Sequence, residues 1–172
     1  GGKGSPTYRG THVPLIVAWG DKVAGRTSDR IVDLTDIFPT IADICGIEIP
    51  QEWNIQGVSL YPELCGEEPL EKELSLVHFN PLWPTTPAPY ASRYAMNDVY
   101  AYFWDGRIYE YKKDPEFKNA IMYDDASAEI KEAVAELKAR VEEVDFYPDM
   151  PGKPRRSDYG TFYDFAPPQN PF

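Results

Sequence analysis

Two imidazoles, two thiols, a lysine set among glycines and three aspartates near one predicted helix start are the residues that could do chemistry in this chain. An imidazole can carry a proton or hold a metal near neutral pH. His12, however, lies in a Gly-rich loop, and His78 stands beside Phe79 in an apolar run where a half-buried structural histidine is expected. No serine sits in a GxSxG elbow, and neither an HExxH helix nor a paired Cys/His cluster is present. Cys45 falls on the apolar side of a predicted helix, as a buried free thiol does, and Cys65 precedes Gly66 in a turn. They form neither a CxxC pair nor a framework, and whether they are bridged stays open. Gly2-Lys3-Gly4-Ser5 has the flavour of a phosphate loop, but a Walker A loop needs Ser or Thr directly after the lysine, and here Gly4 follows. Taken by itself Lys3 reads as a solvated loop cation. Asp33, Asp36 and Asp43 resemble a metal cluster, yet their helix-start positions predict capping and solvent exposure instead.

The elements that must carry these residues change character along the chain. Residues 1–13 are Gly-rich and polar, a loop. Pro14 to Trp19 is a continuous apolar run closed by Gly20-Asp21, which predicts a strand buried on both faces. Over 35–45 the period becomes helical, with Ile37, Phe38, Ile41, Ile44 and Cys45 on one face. Thr35 or Asp36 is the predicted cap, Pro39 sits in the tolerated first turn, and Gly46 is the predicted stop. From about 74 the pattern predicts four antiparallel strands, at 74–79, 91–96, 99–104 and 107–112. Asn97-Asp98 and Asp105-Gly106 are read as two-residue connections, the second of type I′. A Pro- and aromatic-rich loop at 80–90 projects between the first two strands. The helix at 127–144 carries the clearest amphipathic stripe, Ile130, Val134, Leu137, Val141 and Val144, with Asp125 or Ser127 as cap. A four-stranded antiparallel sheet packed against one long helix makes a self-consistent layer pair, so the fold class is α/β in the broad, mixed α+β sense. The last 28 residues, 145–172, show no periodicity and read as an irregular tail.

A net charge of −11 argues against a nucleic-acid partner, which would need a basic face. It also requires that any anionic substrate be met by a few cations focused at one place. No apolar run approaches the length that spans a bilayer, so no membrane partner is expected.

Three motifs in order carry a resemblance. Lys3-Gly4, followed by a small-residue loop into Gly10-Thr11-His12-Val13-Pro14 and an apolar run, resembles the sulfatase pattern, with Lys3 eleven residues before Pro14. Asp36-Ile37-Phe38-Pro39-Thr40 through Cys45-Gly46-Ile47 resembles that family's helix with an Asp-x-Phe-Pro-Thr opening and a terminal Gly-Ile. Gln56-Gly57-Val58-Ser59-Leu60 is similar to its Asp-Gly-Val-Ser-Leu turn, with Gln56 in the acidic place. The motifs cover residues 1–65; 74–144 matches by layout alone.

The resemblance implies the C-terminal part of a sulfatase-like fold of the alkaline phosphatase-like superfamily. Residues 1–65 would then be the end of the catalytic α/β domain, 74–144 the small C-terminal α+β subdomain, and 145–172 a tail. It implies that Lys3 reaches the sulfate, a role an ammonium suits because it can hold an anionic ester oxygen as charge develops there. His12 stands where many relatives have Arg and would either face the substrate or anchor the loop; apart from the resemblance, the alternative for His78 is substrate binding, with the adjoining Pro- and Trp-containing loop helping to form a substrate rim. The family's nucleophile is a Cys or Ser in a Cys/Ser-x-Pro/Ala-x-Arg context, matured to formylglycine, beside a Ca²⁺ held by Asp and Asn. Neither Cys45-Gly46-Ile47 nor Cys65-Gly66-Glu67 fits that context, and only two glycines precede Lys3. No cofactor is therefore expected in this chain, Ca²⁺ and formylglycine belong to the parent enzyme, and the chain alone is expected to be inactive.

Two further readings stand beside a portion of a sulfate-ester hydrolase acting on a sulfated small molecule or carbohydrate. One is a portion of a phosphonate or phosphodiester hydrolase of the same superfamily. The other is a non-catalytic module whose 80–90 loop contacts carbohydrate or protein. Because the strand at 14–19 has no evident sheet partner, either an exposed apolar patch around Leu15, Val17, Ile37 and Ile41 or self-association that covers it is expected, with self-association or a missing N-terminal portion as the partner.

Overall fold

The computed structural model describes residues 5–67, 72–79 and 92–143. The loop at 80–90 and the tail at 145–172 lie outside them. In chain order the elements are α1 (Tyr8–Thr11), α2 (Ile37–Ile44), α3 (Tyr61–Cys65), β1 (Ser75–Phe79), β2 (Ser92–Met96), β3 (Ala101–Phe103), β4 (Arg107–Tyr109), β5 (Ile121–Met122), α4 (Ala128–Ala133) and α5 (Ala135–Glu143). They separate into two compact units, one from residues 14–75 and the other from 1–13 together with 76–172. No helix among the described residues is long and apolar enough to cross a membrane.

The 14–75 unit is organised around the start of α2. A single 3-10 turn, Leu34–Asp36, leads into the helix and is closed by a reciprocal capping box. Asp33 Oδ1 accepts from Thr35 N at 2.8 Å, and Asp36 Oδ2 accepts from Asp33 N at 2.8 Å. Thr40, one turn on, donates its hydroxyl to the Asp36 carbonyl at 2.6 Å. The far end of α2 is a Schellman-type stop at Gly46, whose φ of +66° favours glycine, with Ile47 N donating to Ala42 O at 2.8 Å.

Asp33, the predicted metal look-alike, does cap; Asp36 departs from the expected exposure, being fully buried at 0%. Its carboxylate is satisfied internally. Val58 N donates to Oδ1 at 2.9 Å, and Lys72 Nζ lies 2.9 Å from Oδ1 and 2.7 Å from Oδ2. The same ammonium lies 2.8 Å from Asp33 Oδ2, which also accepts from Ser75 Oγ at 2.6 Å. Thr40 Oγ1 in turn accepts from Leu60 N at 2.9 Å, and Ser59 Oγ donates to Asp43 at 2.6 Å. This lacing brings the 57–60 backbone onto the helix start so closely that a Cβ on Gly57 would fall on the Thr35 carbonyl. Only glycine fits there.

Pro14–Trp19 corrects the sequence expectation: it forms no strand. A strand needs a neighbour to take its backbone hydrogen bonds, and Pro14–Trp19 is not among the strands of the described sheet. Its side chains are accordingly exposed, Ile16 at 86%, with Leu15 and Val17 also open and Ile41 on α2 likewise. The expected apolar surface is therefore present, except that Ile37 is half-buried.

In the second unit the sheet is an antiparallel meander of five strands in the order β1-β2-β3-β4-β5, one more than predicted. The extra strand is only two residues long, too short to leave a periodic signature. Register pairs Tyr94 with Phe103 and Met96 with Ala101, then Ala101 with Tyr109, and Ile108 with Ile121. Asn97 N donates to Tyr100 O, so the first tight turn centres on Asp98-Val99, one residue later than predicted. The next is a three-residue loop rather than type I′: Gly106 N donates to Phe103 O, and Gly106 alone has positive φ, +87°.

Alternation along the strands makes two buried faces. Ala95, Tyr102 and Ile108 share one face, and on that sheet α5 packs against β2 and β3 with Leu137 and Val141 buried and Val134, just before the helix, buried as well. The predicted single helix is two, broken at Val134, whose φ of −107° and ψ of 4° leave the helical region. Ser127 is the cap, its Oγ accepting from Ile130 N at 3.3 Å. The other face gathers Tyr94, Met96, Ala101, Phe103, Tyr109, Tyr111 and Phe117, with Tyr8 and Val77 packed against them.

Removing either partner of the Asp36–Lys72 pair strands a buried charge. Asp36→Ala and Lys72→Met should each cost about 3–5 kcal/mol, the double substitution less than their sum, as read from urea denaturation. Burial alone would push the Asp33 carboxyl up, but hydrogen bonds from Lys72, Ser75 and Thr35 hold it at about 2. The unfolded chain, with the ordinary value of 3.8, binds the extra proton first. Asp33's contribution is therefore complete above pH 4 and is lost as pH falls toward 2. Equilibrium unfolding across that window should show the loss in the parent sequence and a weaker one in Asp33→Asn.

Candidate functional site

Lys3 itself lies outside the described residues, but the segment that leads from it does not. Ser5 to His12 belongs to the sheet unit and is fixed there by three layers of interaction. Within the segment, the Ser5 and Thr7 hydroxyls lie 2.8 Å apart and Thr7 N donates to Ser5 Oγ at 3.2 Å. Gly10 N and Thr11 N both donate to Thr7 O, and His12 N donates to Tyr8 O, which winds the single turn of α1.

The second layer is the floor beneath α1. Tyr94 of β2 is completely buried, its ring stacked on Phe103 at 4.4 Å and edge-on to Phe117 at 5.6 Å. Its hydroxyl donates to the Pro6 carbonyl at 2.8 Å, with Thr11 Oγ1 3.4 Å away. A buried phenol must find such a partner or lose the hydrogen bonds it had in water. Burial pushes the Tyr94 hydroxyl well above the ordinary tyrosine range, with the Thr11 hydroxyl pulling the other way. Tyr111 is held similarly, pushed up to about 12 first by burial and then by Tyr8 and Asp98, while donating to Asn97 O at 2.8 Å.

The third layer is aromatic and ionic. Tyr8 lies against Tyr111 with ring centroids 4.8 Å apart, and the His12 ring stacks on Tyr8 at 4.6 Å, nearly parallel. Arg9 pairs with Glu116 at 2.9 Å. His12 is exposed at the C-terminal cap of α1, so its ring is supported from below and open above. His78 is exposed in β1. Val77 beside it packs toward the aromatic cluster, so alternation turns His78 to the opposite face. The two histidines thus stand on different elements of one unit.

A Ca²⁺ does not fit the carboxylates described. Asp33 and Asp36 are the closest approach to a ligand set, and Lys72 already occupies the space between their oxygens as the cation. Among the described residues no group of three or more His, Cys, Asp or Glu could hold a metal ion. Cys45 is exposed rather than buried, because its face of α2 is uncovered; Cys65 is half-buried, and both are free thiols.

Tyr94 and Lys72, which hold these two arrangements, were beyond sequence reasoning. Tyr94 signals only an inward strand position, and its acceptor lies 88 residues away. Lys72 sits in a stretch of glutamates that reads as solvated surface.

Comparison with known proteins agrees with the motif order. Residues 8–146 match the family model described as N-sulphoglucosamine sulphohydrolase, C-terminal. Arylsulfatase D of Homo sapiens is 40% identical over 81 residues, 46% of this chain and 14% of that protein. Arylsulfatase K of Xenopus laevis is 26% identical over 157 residues, 83% of this chain and 28% of that protein. An uncharacterised sulfatase of Escherichia coli is 34% identical over 83 residues, 48% of this chain and 14% of that protein. The chain thus spans well under a third of the length of the curated relatives it matches. With the family match running across most of the chain, it belongs to the sulfatases, as a member of their N-sulphoglucosamine sulphohydrolase C-terminal family.

Proposed function

We propose that the full protein hydrolyses sulfate esters of a small molecule or carbohydrate, and that this chain supplies its C-terminal portion. The observation that carries the reading is the family match over residues 8–146, which starts five residues after Lys3 and takes in the Asp36 helix and the sheet. The relatives named arylsulfatase and steryl-sulfatase support it. In this reading Lys3 is the sulfate contact, and the exposed His12 and His78 are further contacts to the substrate. The Ca²⁺ and formylglycine of a sulfatase are assigned to residues of the full protein other than those described, since Lys72 already fills the space between Asp33 and Asp36 and the described residues hold no group of three or more His, Cys, Asp or Glu that could take a metal ion. The apolar side chains of 15–17 and Ile41 are assigned to a surface covered by the rest of the protein, with self-association as the alternative.

Lys3 would donate to an oxygen that gains negative charge as the S–O bond breaks. Such a contact is stronger in the transition state than in the ground state, so losing it lowers kcat more than it raises KM. The full protein should turn over a chromogenic aryl sulfate faster than the matching aryl phosphonate or phosphodiester. Preference for the phosphorus esters, or no turnover of any, would overturn the reading. Lys3→Ala should reduce kcat by roughly a hundredfold with the fold intact, and Lys3→Arg should recover only part, because a planar fork does not reproduce a point charge. Unchanged kcat in Lys3→Ala would remove Lys3 from the site.

A further inference from the structure

We infer that Tyr94 is a positioning residue for the substrate-contacting lysine, acting through the Pro6 carbonyl; the inference rests on the role proposed above for Lys3. Three observations carry it. The segment that follows Lys3 is held on the sheet unit, and the buried Tyr94 hydroxyl fastens it by donating to Pro6 O at 2.8 Å. Pro6 is three residues from Lys3, so the chain between them can reach no more than about 10 Å. The fastening point is itself immobilised: Tyr94 is 0% exposed, clamped between Phe103 and Phe117, and paired in register with Phe103.

The physical consequence concerns where the lysine starts from, not what it touches. A flexible lysine at the end of a free loop must be ordered each time it meets a substrate. A lysine three residues from a fixed carbonyl is limited by chain connectivity to a smaller volume, which removes part of that ordering cost, and preorganised donors are those that speed the chemical step. The hydroxyl alone does this, because the ring's packing against Phe103 and Phe117 does not depend on it. Tyr94→Phe therefore isolates the effect.

In the full protein, Tyr94→Phe should lower kcat for an aryl sulfate about tenfold, the loss of one buried hydrogen bond, with KM changed less than about twofold. Tyr102→Phe, a buried tyrosine on the opposite face of the same sheet, should leave kcat unchanged. In a Lys3→Ala background Tyr94→Phe should have little further effect, because the group it positions is gone. The same tenfold drop in both backgrounds, or no drop in the parent, would overturn the inference. Amide hydrogen exchange supplies a readout that does not need sulfatase activity. Tyr94→Phe should speed exchange at Thr11 and His12, and unchanged exchange there would overturn the anchor even if sulfate turnover proved absent.

Discussion

A carboxylate cut off from water has to be given its donors by the protein, and the 14–75 unit is built around meeting that demand at Asp36. Its two oxygens take hydrogen bonds from Asp33 N, Val58 N and the Lys72 ammonium, groups drawn from three separate stretches of chain. Leaving any of them out would leave a buried charge short of a partner, a cost of several kcal/mol. The 33–36 turn, the 57–60 backbone and the 72–75 segment must therefore meet at one place. Gly57 is where that convergence becomes steric, since the approach to Thr35 leaves no room for a side chain.

This gives physical content to two motifs that look independent in the sequence. Asp36 and Thr40 stand four apart, on one side of a helix start. Val58 and Leu60 stand two apart, so their amides point to the same side of an extended backbone. Asp36 accepts from the first amide and Thr40 from the second. The Asp-Ile-Phe-Pro-Thr helix opening and the Gly-Val-Ser-Leu turn are two halves of one hydrogen-bonded seam. Pro39 suits the opening because its missing N–H falls in the first turn, where no intrahelical acceptor is needed.

Legibility followed the range of each interaction. The α2 helix, its glycine stop, the stripe of Val134, Leu137 and Val141, and the meander were readable because they rest on period, caps and turn residues that are local. The two-helix break at Val134 was not, since the apolar stripe runs through it without interruption. The Pro14–Trp19 run misled because an apolar run signals a buried strand only when a neighbouring strand supplies hydrogen bonds, and composition cannot report the neighbour. Asp36 was misjudged for a related reason. A cap and a buried ion-pair member look alike in sequence, and the difference lies in Lys72, 36 residues away. Around the candidate site, the Tyr94–Pro6 hydrogen bond was not legible, because nothing local connects a strand tyrosine with a proline carbonyl near the start of the chain.

Net charge sets a last constraint on how such a chain could serve an anionic substrate. At −11 its average field repels sulfate, and several of its described cations are already committed to carboxylates. Lys72 bridges Asp33 and Asp36, Arg107 lies 2.8 Å from Asp105, and Arg9 lies 2.9 Å from Glu116. Attraction over long range is thus weak, and screening at physiological salt reduces it further beyond about 8 Å. What remains effective is a donor fixed at short range, where water is excluded and geometry counts for more than total charge. An aromatic floor that pins the α1 segment near its start suits that requirement better than any gain in basic residues would. Extra lysines would raise the field everywhere, whereas the Tyr94 hydroxyl fixes the Pro6 carbonyl at one point on the sheet, and in the reading proposed above a fixed point of that kind favours a transition state that differs from its substrate by tenths of an ångström.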